Sequence, residues 1–215
     1  ALKCGGTFDD VSVPKERIIG TAYLLGDGSM KSRLQVTMTA ACPDIITEFS
    51  VLFPEAHKAQ RTKAPHIYYF RFPTASAIVA WLEEDNLIGK ISDTKTIPSW
   101  VFSLSKEDTV LFISRLWATD GSIKKYHKQI SITYASCSKV MVLQLQSLLA
   151  KLNIFSTLRH KQAFCKGVRC KDVFELRVET RASCKTFLDL IQVPGKPVVC
   201  IPQTLENNNR DVVPI

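Results

Sequence analysis

The chain has 215 residues, 46% of them hydrophobic, with mean hydropathy +0.04 and a formal net charge of +8. That length supports one large core or two modest ones. It holds no run of about 18 apolar residues, which argues against a membrane-spanning helix, and its start lacks the apolar centre of a signal peptide, so secretion is not expected.

The seven cysteines (Cys4, Cys42, Cys137, Cys165, Cys170, Cys184 and Cys200) form an odd set without a CxxC pair. They read as reduced thiols of a cytosolic protein. Charge is unevenly spread: residues 1–105 carry 11 Lys/Arg and 11 Asp/Glu, whereas 106–215 carry 17 and 9. Gly121 to Lys171 holds ten basic residues and no acid. A short charge run is usually a solvated face, but a stretch of this length makes a polyanion, nucleic acid first, the expected partner.

In chain order, residues 1–13 read as an irregular leader. Pro14 opens an apolar helix that closes at Gly26-Asp27-Gly28, with Gly28, like Gly121 in the second half, expected in the left-handed position. Residues 31–39 read as a strand, with Lys31, Arg33, Gln35, Thr37 and Thr39 on one face and Ser32, Leu34, Val36 and Met38 on the other. A helix over Pro43 to Phe53 is ended by Pro54. A basic turn or strand (His57 to Lys63, with Lys58 and Arg61) then precedes an aromatic strand, Ile67 to Phe72. In that strand Tyr68, Phe70 and Phe72 mark the buried face, and Arg71 lies between them. A helix from about Thr74 to Asn86 and a connector over Ser92 to Trp100 complete the half.

The same order then returns. A helix from about Lys106 to Thr119 closes at Asp120-Gly121. Gln129, Ser131 and Thr133 alternate with Ile130, Ile132 and Tyr134, and an amphipathic helix spans Ser138 to Leu152. Strands near Ser156 to Gln162 (with Arg159 and Lys161) and Asp172 to Glu179 (with Arg177) lead to a closing helix near Ala182 to Ile191. The four histidines (His57, His66, His127 and His160) show no HxxxH spacing, so they are not expected to hold a metal. Both apolar helices thus end in Asp-Gly-Ser. An acid in a helix's last turn lies at the negative end of the macrodipole, at a cost of roughly 0.3 to 1 kcal/mol. A shared divalent cation would offset that cost at both ends, and two copies about 90 residues apart imply a pseudo-twofold axis bringing Asp27 and Asp120 together.

These residues resemble the LAGLIDADG homing endonucleases in their single-chain, two-motif form. Tyr23-Leu24-Leu25-Gly26-Asp27-Gly28 is similar to the first motif, and Leu116-Trp117-Ala118-Thr119-Asp120-Gly121-Ser122 to the second. Lys95-Thr96-Ile97-Pro98 is similar to a Lys-x-Ile-Pro element of intein endonucleases. The phrasing around Arg115 to Gly121, with Ser147 to Ile154, is most similar to endonuclease domains from inteins of bacterial DnaB-type helicases. The likeness covers about Pro14 to Pro197. The splicing half of an intein is not expected, since Cys4 is not the first residue and the chain ends Val212-Val213-Pro214-Ile215.

The resemblance implies an α+β fold: a pseudo-twofold pair of αββαββα-like subdomains (14–104 with the connector, and 105–200, before a tail over 201–215) whose two antiparallel sheets form a DNA-binding saddle. It implies a monomeric, Mg²⁺-dependent endonuclease of the bacterial cytosol or nucleoid, acting on a long pseudo-palindromic or asymmetric duplex site, with Mn²⁺ or Ca²⁺ able to substitute in binding. Asp27 and Asp120, with Gly26 and Thr119, would hold the metal; Lys95 and Lys196 would support catalysis. Lys31, Arg33, Gln35, Thr37, Thr39, Lys58, Arg61, Lys63, Arg71, Lys124, Lys125, Lys128, Gln129, Ser131, Thr133, Arg159, Lys161 and Arg177 would contact DNA, with His127 and His160 nearby. Where the family has small residues at the helix crossing, Ala22 fits and Arg115 departs, which implies looser or asymmetric packing. The alternatives are a catalytically inactive DNA-binding protein of this fold and an RNA-intron maturase.

Overall fold

The computed structural model describes residues 7–9, 11–126, 129–162, 164–165, 168–169 and 171–199. Two helices form its centre: α1 (Lys15–Asp27) and α4 (Lys106–Asp120), which pack along each other. Every residue of α1 from Ile18 to Leu25 is buried, and α4 buries Thr109, Phe112 to Ser114 and Leu116 to Ala118. A helix apolar around most of its circumference has to lie inside.

Around α1 stand β1 (Gly28–Met30), β2 (Val36–Ala40), α2 (Pro43–Leu52), β3 (His57–Arg61), β4 (Ala64–Arg71) and α3 (Ala77–Glu84). Their sheet is antiparallel with order β1-β2-β4-β3. Around α4 stand β5 (Gly121–Tyr126), β6 (Gln129–Ser136), α5 (Lys139–Lys151), β7 (Ser156–Lys161), β8 (Phe164–Cys165), β9 (Val168–Arg169), β10 (Val173–Val178) and α6 (Arg181–Leu190). The second sheet runs β5-β6-β10-β7, and β8 pairs with β9 as a separate ribbon. The two halves share one order of elements, and the α+β, pseudo-twofold architecture is as expected.

Two local expectations are corrected. Residues 31–39 do not form one strand: β1 and β2 are separated by a bend and a 3₁₀ turn over Arg33–Gln35, which leaves Leu34 67% exposed. The alternation holds from Val36 onward only. Gly28 (φ −89°) and Gly121 (φ −79°) are extended, not left-handed, because each helix passes directly into a strand. Glycine is needed there for closeness: a Cβ would lie 2.6 Å from Leu24 Cα at position 28 and 2.6 Å from Trp117 Cγ at position 121. The leader's residues 7–9 and 11–14 form no regular element, and the tail over 201–215 lies outside the described residues.

No described helix is long and apolar enough to cross a membrane. Among the described cysteines Cys42, Cys137 and Cys184 are free thiols, and burial pushes the Cys184 thiol up to about 11.

Candidate active site at the paired helix ends

Asp27 and Asp120 are the last residues of α1 and α4. The helices touch immediately before them: a Cβ on Gly26 would fall on the Thr119 side chain, whose Cγ2 is 2.7 Å from that point. Gly26 therefore sets how closely the two acids approach. Both carboxylates are open to solvent on one side, yet the packed helix ends behind them withdraw water. That desolvation, reinforced by Asp120, raises Asp27 to about 6; desolvation raises Asp120 also, and Lys95 and Lys196 pull both back down.

Lys95 is the residue whose role the structure changes most. A lone lysine in a connector is ordinarily an exposed side chain, but only 5% of Lys95 is exposed. Its Nζ donates to the carbonyls of Leu24 (3.0 Å), Leu25 (2.9 Å), Gly26 (3.3 Å) and Gly28 (2.8 Å). One ammonium thus reaches three carbonyls in the last turn of α1, Leu24 sharing its oxygen with the Gly28 N–H, together with the first carbonyl of β1, and opposes the negative end of the helix dipole. The offset expected of a divalent cation is supplied at this end by the chain itself. Burial lowers Lys95 to about 8, against the pull of Asp120 and Asp27.

The connector is held by the other half of the molecule. The Ser138 hydroxyl, which caps α5 by accepting from the Met141 N–H, donates to the Lys95 carbonyl at 2.6 Å. The Gln144 amide pairs with both backbone groups of Ile97, at 2.8 and 3.0 Å. Sequence reading missed Ser138 and Gln144, because their partners Lys95 and Ile97 lie more than forty positions away. Beside this connector a cavity of about 400 Å³ opens onto Asp120 and Lys95, lined also by Leu25, Gly26, Ser92 and the stretch Ala135 to Cys137.

Arg115 does not loosen the helix crossing. It reaches sideways to α2, where Nε and Nη2 donate to the Glu48 carboxylate at 2.6 to 3.2 Å, and Tyr23 Oη of α1 donates to the same carboxylate at 2.6 Å. Arg115 also donates to Ser114 Oγ at 3.1 Å, and Ser114 donates to the Gln192 carbonyl. A polar chain therefore runs from α1 through α2 and α4 to the segment carrying Lys196. In that segment Gly195, at φ +69°, packs on Cys42.

Cross-strand register sorts the surface candidates. On the first sheet's open face Thr37, Arg71 and His57 form one row, and Thr39, Tyr69 and Ala59 the next. Lys58 is on the other face: it pairs with buried Phe70, donates to Ser50 of α2 at 3.1 Å and lies 4.9 Å from the Tyr68 ring centre. Arg33 is drawn to Glu83 of α3 at 3.3 Å. Lys31 and Gln35 are exposed beside that turn, and Arg61 and Lys63 at the β3–β4 tip.

On the second sheet Ser122, Thr133, Arg177 and Thr157 share one open row, with Lys124 opposite Ser131, Arg159 opposite Glu175, and Lys161 opposite Val173. Gln129 is exposed at the hairpin end of β6. Lys125 pairs with Ile130 on the helix-covered face. His160 stacks on Phe174 there, with Nε2 3.0 Å from Asp172. Lys128 and His127 lie outside the described residues. Sequence reading overlooked His57, Tyr69, Ser122 and Thr157 on the open faces, because the pairing that aligns them is set by tertiary register.

Residues 107–192 match the LAGLIDADG-like domain family. The second half of the chain is thus similar to LAGLIDADG-like domains. The chain is 29% identical over 161 residues to the replicative DNA helicase DnaB of Synechocystis sp., covering 70% of this chain and 18% of that one. With the DnaB of Nostoc sp. the identity is 23% over 232 residues, covering 97% and 26%. The chain thus spans about a fifth to a quarter of these relatives' length. Among solved structures, mesophilic variants of the homing endonuclease I-DmoI align at TM-score 0.55 and 12% identity, over 82% of this chain and 95% of theirs. I-DmoI in complex with DNA and Mn aligns at TM-score 0.53 and 14% identity, over 83% and 97%. These alignments show the LAGLIDADG fold across both halves.

Proposed function

We propose that the chain is a site-specific, Mg²⁺-dependent double-strand DNA endonuclease, of the kind carried by inteins of DnaB-type helicases, acting as a monomer through two subdomains over 14–104 and 105–200. The observation that carries this reading is the pair of carboxylates at abutting helix ends, both raised, with Lys95 and Lys196 in electrostatic reach of each. A protein that only bound duplex would gain nothing from two acids aimed at phosphate.

The donors fit a hard divalent cation. Asp27 and Asp120 supply carboxylate oxygens, and the Gly26 and Thr119 carbonyls stand at the same helix ends; Mg²⁺ takes one or two carboxylates and fills its shell with water and phosphate. Mn²⁺ and Ca²⁺ take the same oxygens. When bound, such an ion polarises the scissile phosphate and lowers the pKa of an attacking water. Lys95 fixes the Gly26 carbonyl from behind, its protons already engaged by the helix, so it orients the site and is not a ready proton donor. Lys196 brings positive charge to the mouth of the site, where a phosphate would enter.

A second reading is a DNA-binding protein of this fold that does not cleave. Asp27→Asn and Asp120→Asn separate the two. In the endonuclease each variant loses Mg²⁺-dependent cleavage of a selected duplex and keeps its binding. Unchanged cleavage by both variants refutes the active-site assignment, and absence of cleavage in the wild type supports the second reading.

A further inference from the structure

The stretch from Gly121 to Lys171 is free of acid in sequence but not in space. Carboxylates from outside it fold back onto its cations. On the open face of the second sheet Glu175 accepts from Lys161 Nζ at 2.6 Å. Glu179 accepts from Thr157 Oγ1 at 2.6 Å and lies 3.5 Å from Arg159 Nη2 and 3.9 Å from Arg177 Nε. Both side chains are only 17 to 18% exposed, set within the layer of cations. The register confirms the face: Glu175 stands between Ala135 and Arg159, opposite in direction to buried Leu176 and Val178. The strands of the first sheet contain no Asp or Glu at all.

Ion pairs whose cation is half exposed, as Arg159 and Lys161 are, add little to stability, so stability does not explain why these acids line a face otherwise suited to polyanions. Their effect on binding is larger. A carboxylate among the cations opposes every phosphate the face meets and holds Arg159 and Lys161 in fixed directions. Discrimination between partners is a difference of affinities, and a repulsive group raises it by weakening the wrong complexes. In a major groove a carboxylate accepts only from amino groups, its usual partner being cytosine N4, while Arg or Lys beside it matches guanine O6 and N7.

We propose that Glu175 and Glu179 are specificity-determining residues: they make the second sheet the discriminating half of the DNA interface, reading C·G pairs under β7 and β10, while the acid-free first sheet supplies less selective adhesion. This rests on the reading of the open sheet faces as the DNA-contacting surface.

The test compares wild type with Glu175→Gln and Glu179→Gln in two measurements on the intact chain. One is binding to random-sequence duplex across a salt series; the other is selection of preferred sites from a randomised duplex library. Each Gln variant is expected to bind random duplex about three- to tenfold more tightly, with a salt slope steeper by about one as a freed cation meets phosphate. Selected sites should lose cytosine preference in one half-site only, moving toward adenine, which Gln matches. Random-duplex affinity and selected sites both unchanged would overturn the proposal, as would relaxation of both half-sites equally. A wild type that binds duplex without salt dependence, or not at all, would instead overturn the DNA-surface reading beneath it.

Discussion

The ends of α1 and α4 present one motif in two electrostatic settings. At α1 a buried ammonium, Lys95, takes the carbonyls of Leu24, Leu25, Gly26 and Gly28. Both helix ends share one bond, Gly28 N–H to the Leu24 carbonyl and Gly121 N–H to the Trp117 carbonyl, but at α4 the Leu116 carbonyl accepts from the Thr119 hydroxyl, and Lys196 acts on Asp120 as a more distant, half-buried charge. The helix N-termini differ as well: Ser105, Ser138 and Thr180 cap the second half's helices with side-chain bonds, whereas Pro14, Cys42 and Ser76 make none for the first. A duplicated fold thus keeps its acids in matching places while each copy solves the helix-end problem with different residues. The first copy borrows its solution from the second, since Ser138 and Gln144 hold the connector that carries Lys95.

Gly26→Ala should have the largest effect, because it breaks the contact on which the comparison depends. The added methyl falls on Thr119, and forcing the helices apart is expected to cost about 3 kcal/mol in urea unfolding. Pairing it with Thr119→Gly should recover most of that loss, less about 1 kcal/mol for glycine in a helix. No recovery would mean that the crossing lies elsewhere.

The two lysines should separate next. Lys95→Met removes the ammonium shared by four carbonyls at a packed helix end, of which Leu24 keeps the Gly28 N–H, and is expected to cost about 2 kcal/mol of stability. Lys196→Met should leave stability within about 0.5 kcal/mol, as for most partly exposed side chains, while slowing cleavage. Equal destabilisation by both would mean that the two helix ends are electrostatically alike.

Arg115→Ala tests the strut between the halves. It strands the Glu48 carboxylate with Tyr23 alone, and about 1.5 kcal/mol should be lost, the pair being about a quarter exposed. The smallest effect is expected at Asp27. Its folded pKa is raised from 3.8 to about 6, so its stabilising contribution is full below the unfolded value and is lost as pH rises through about 6. Without divalent metal, Asp27→Asn should therefore gain stability relative to wild type above pH 6 and not below pH 4. The gain should be about 0.5 kcal/mol, since solvent screens the open side of the carboxylate. Calorimetry at both pH values reads the difference.

The helix order, the repeat and the two acids were legible in the sequence, because apolar period and an Asp-Gly stop are local signals. The motif likeness extended them to the LAGLIDADG fold. What escaped depended on register or on distant partners. Lys58 and Lys125 are basic residues on strands, yet pairing with Phe70 and Ile130 turns them to the helix side. The 3₁₀ turn at Arg33–Gln35 interrupts a convincing alternation, with Arg33 drawn to Glu83. Lys95 has nothing local to distinguish it; its meaning lies in carbonyls about seventy positions earlier. Arg115 was read from its place in the motif, whereas its partner Glu48 belongs to a different helix in the other half.

The most direct test of the central claim, that Asp27 and Asp120 form one shared cation site, is a carboxyl-carbon NMR titration of both residues in wild type, in Asp120→Asn, and in wild type with Mg²⁺. Asp27 should titrate near pH 6 in the wild type and move down both when Asp120 is neutralised and when Mg²⁺ is added. An Asp27 that titrates at its ordinary value of 3.8, indifferent to Asp120 and to Mg²⁺, would contradict the account.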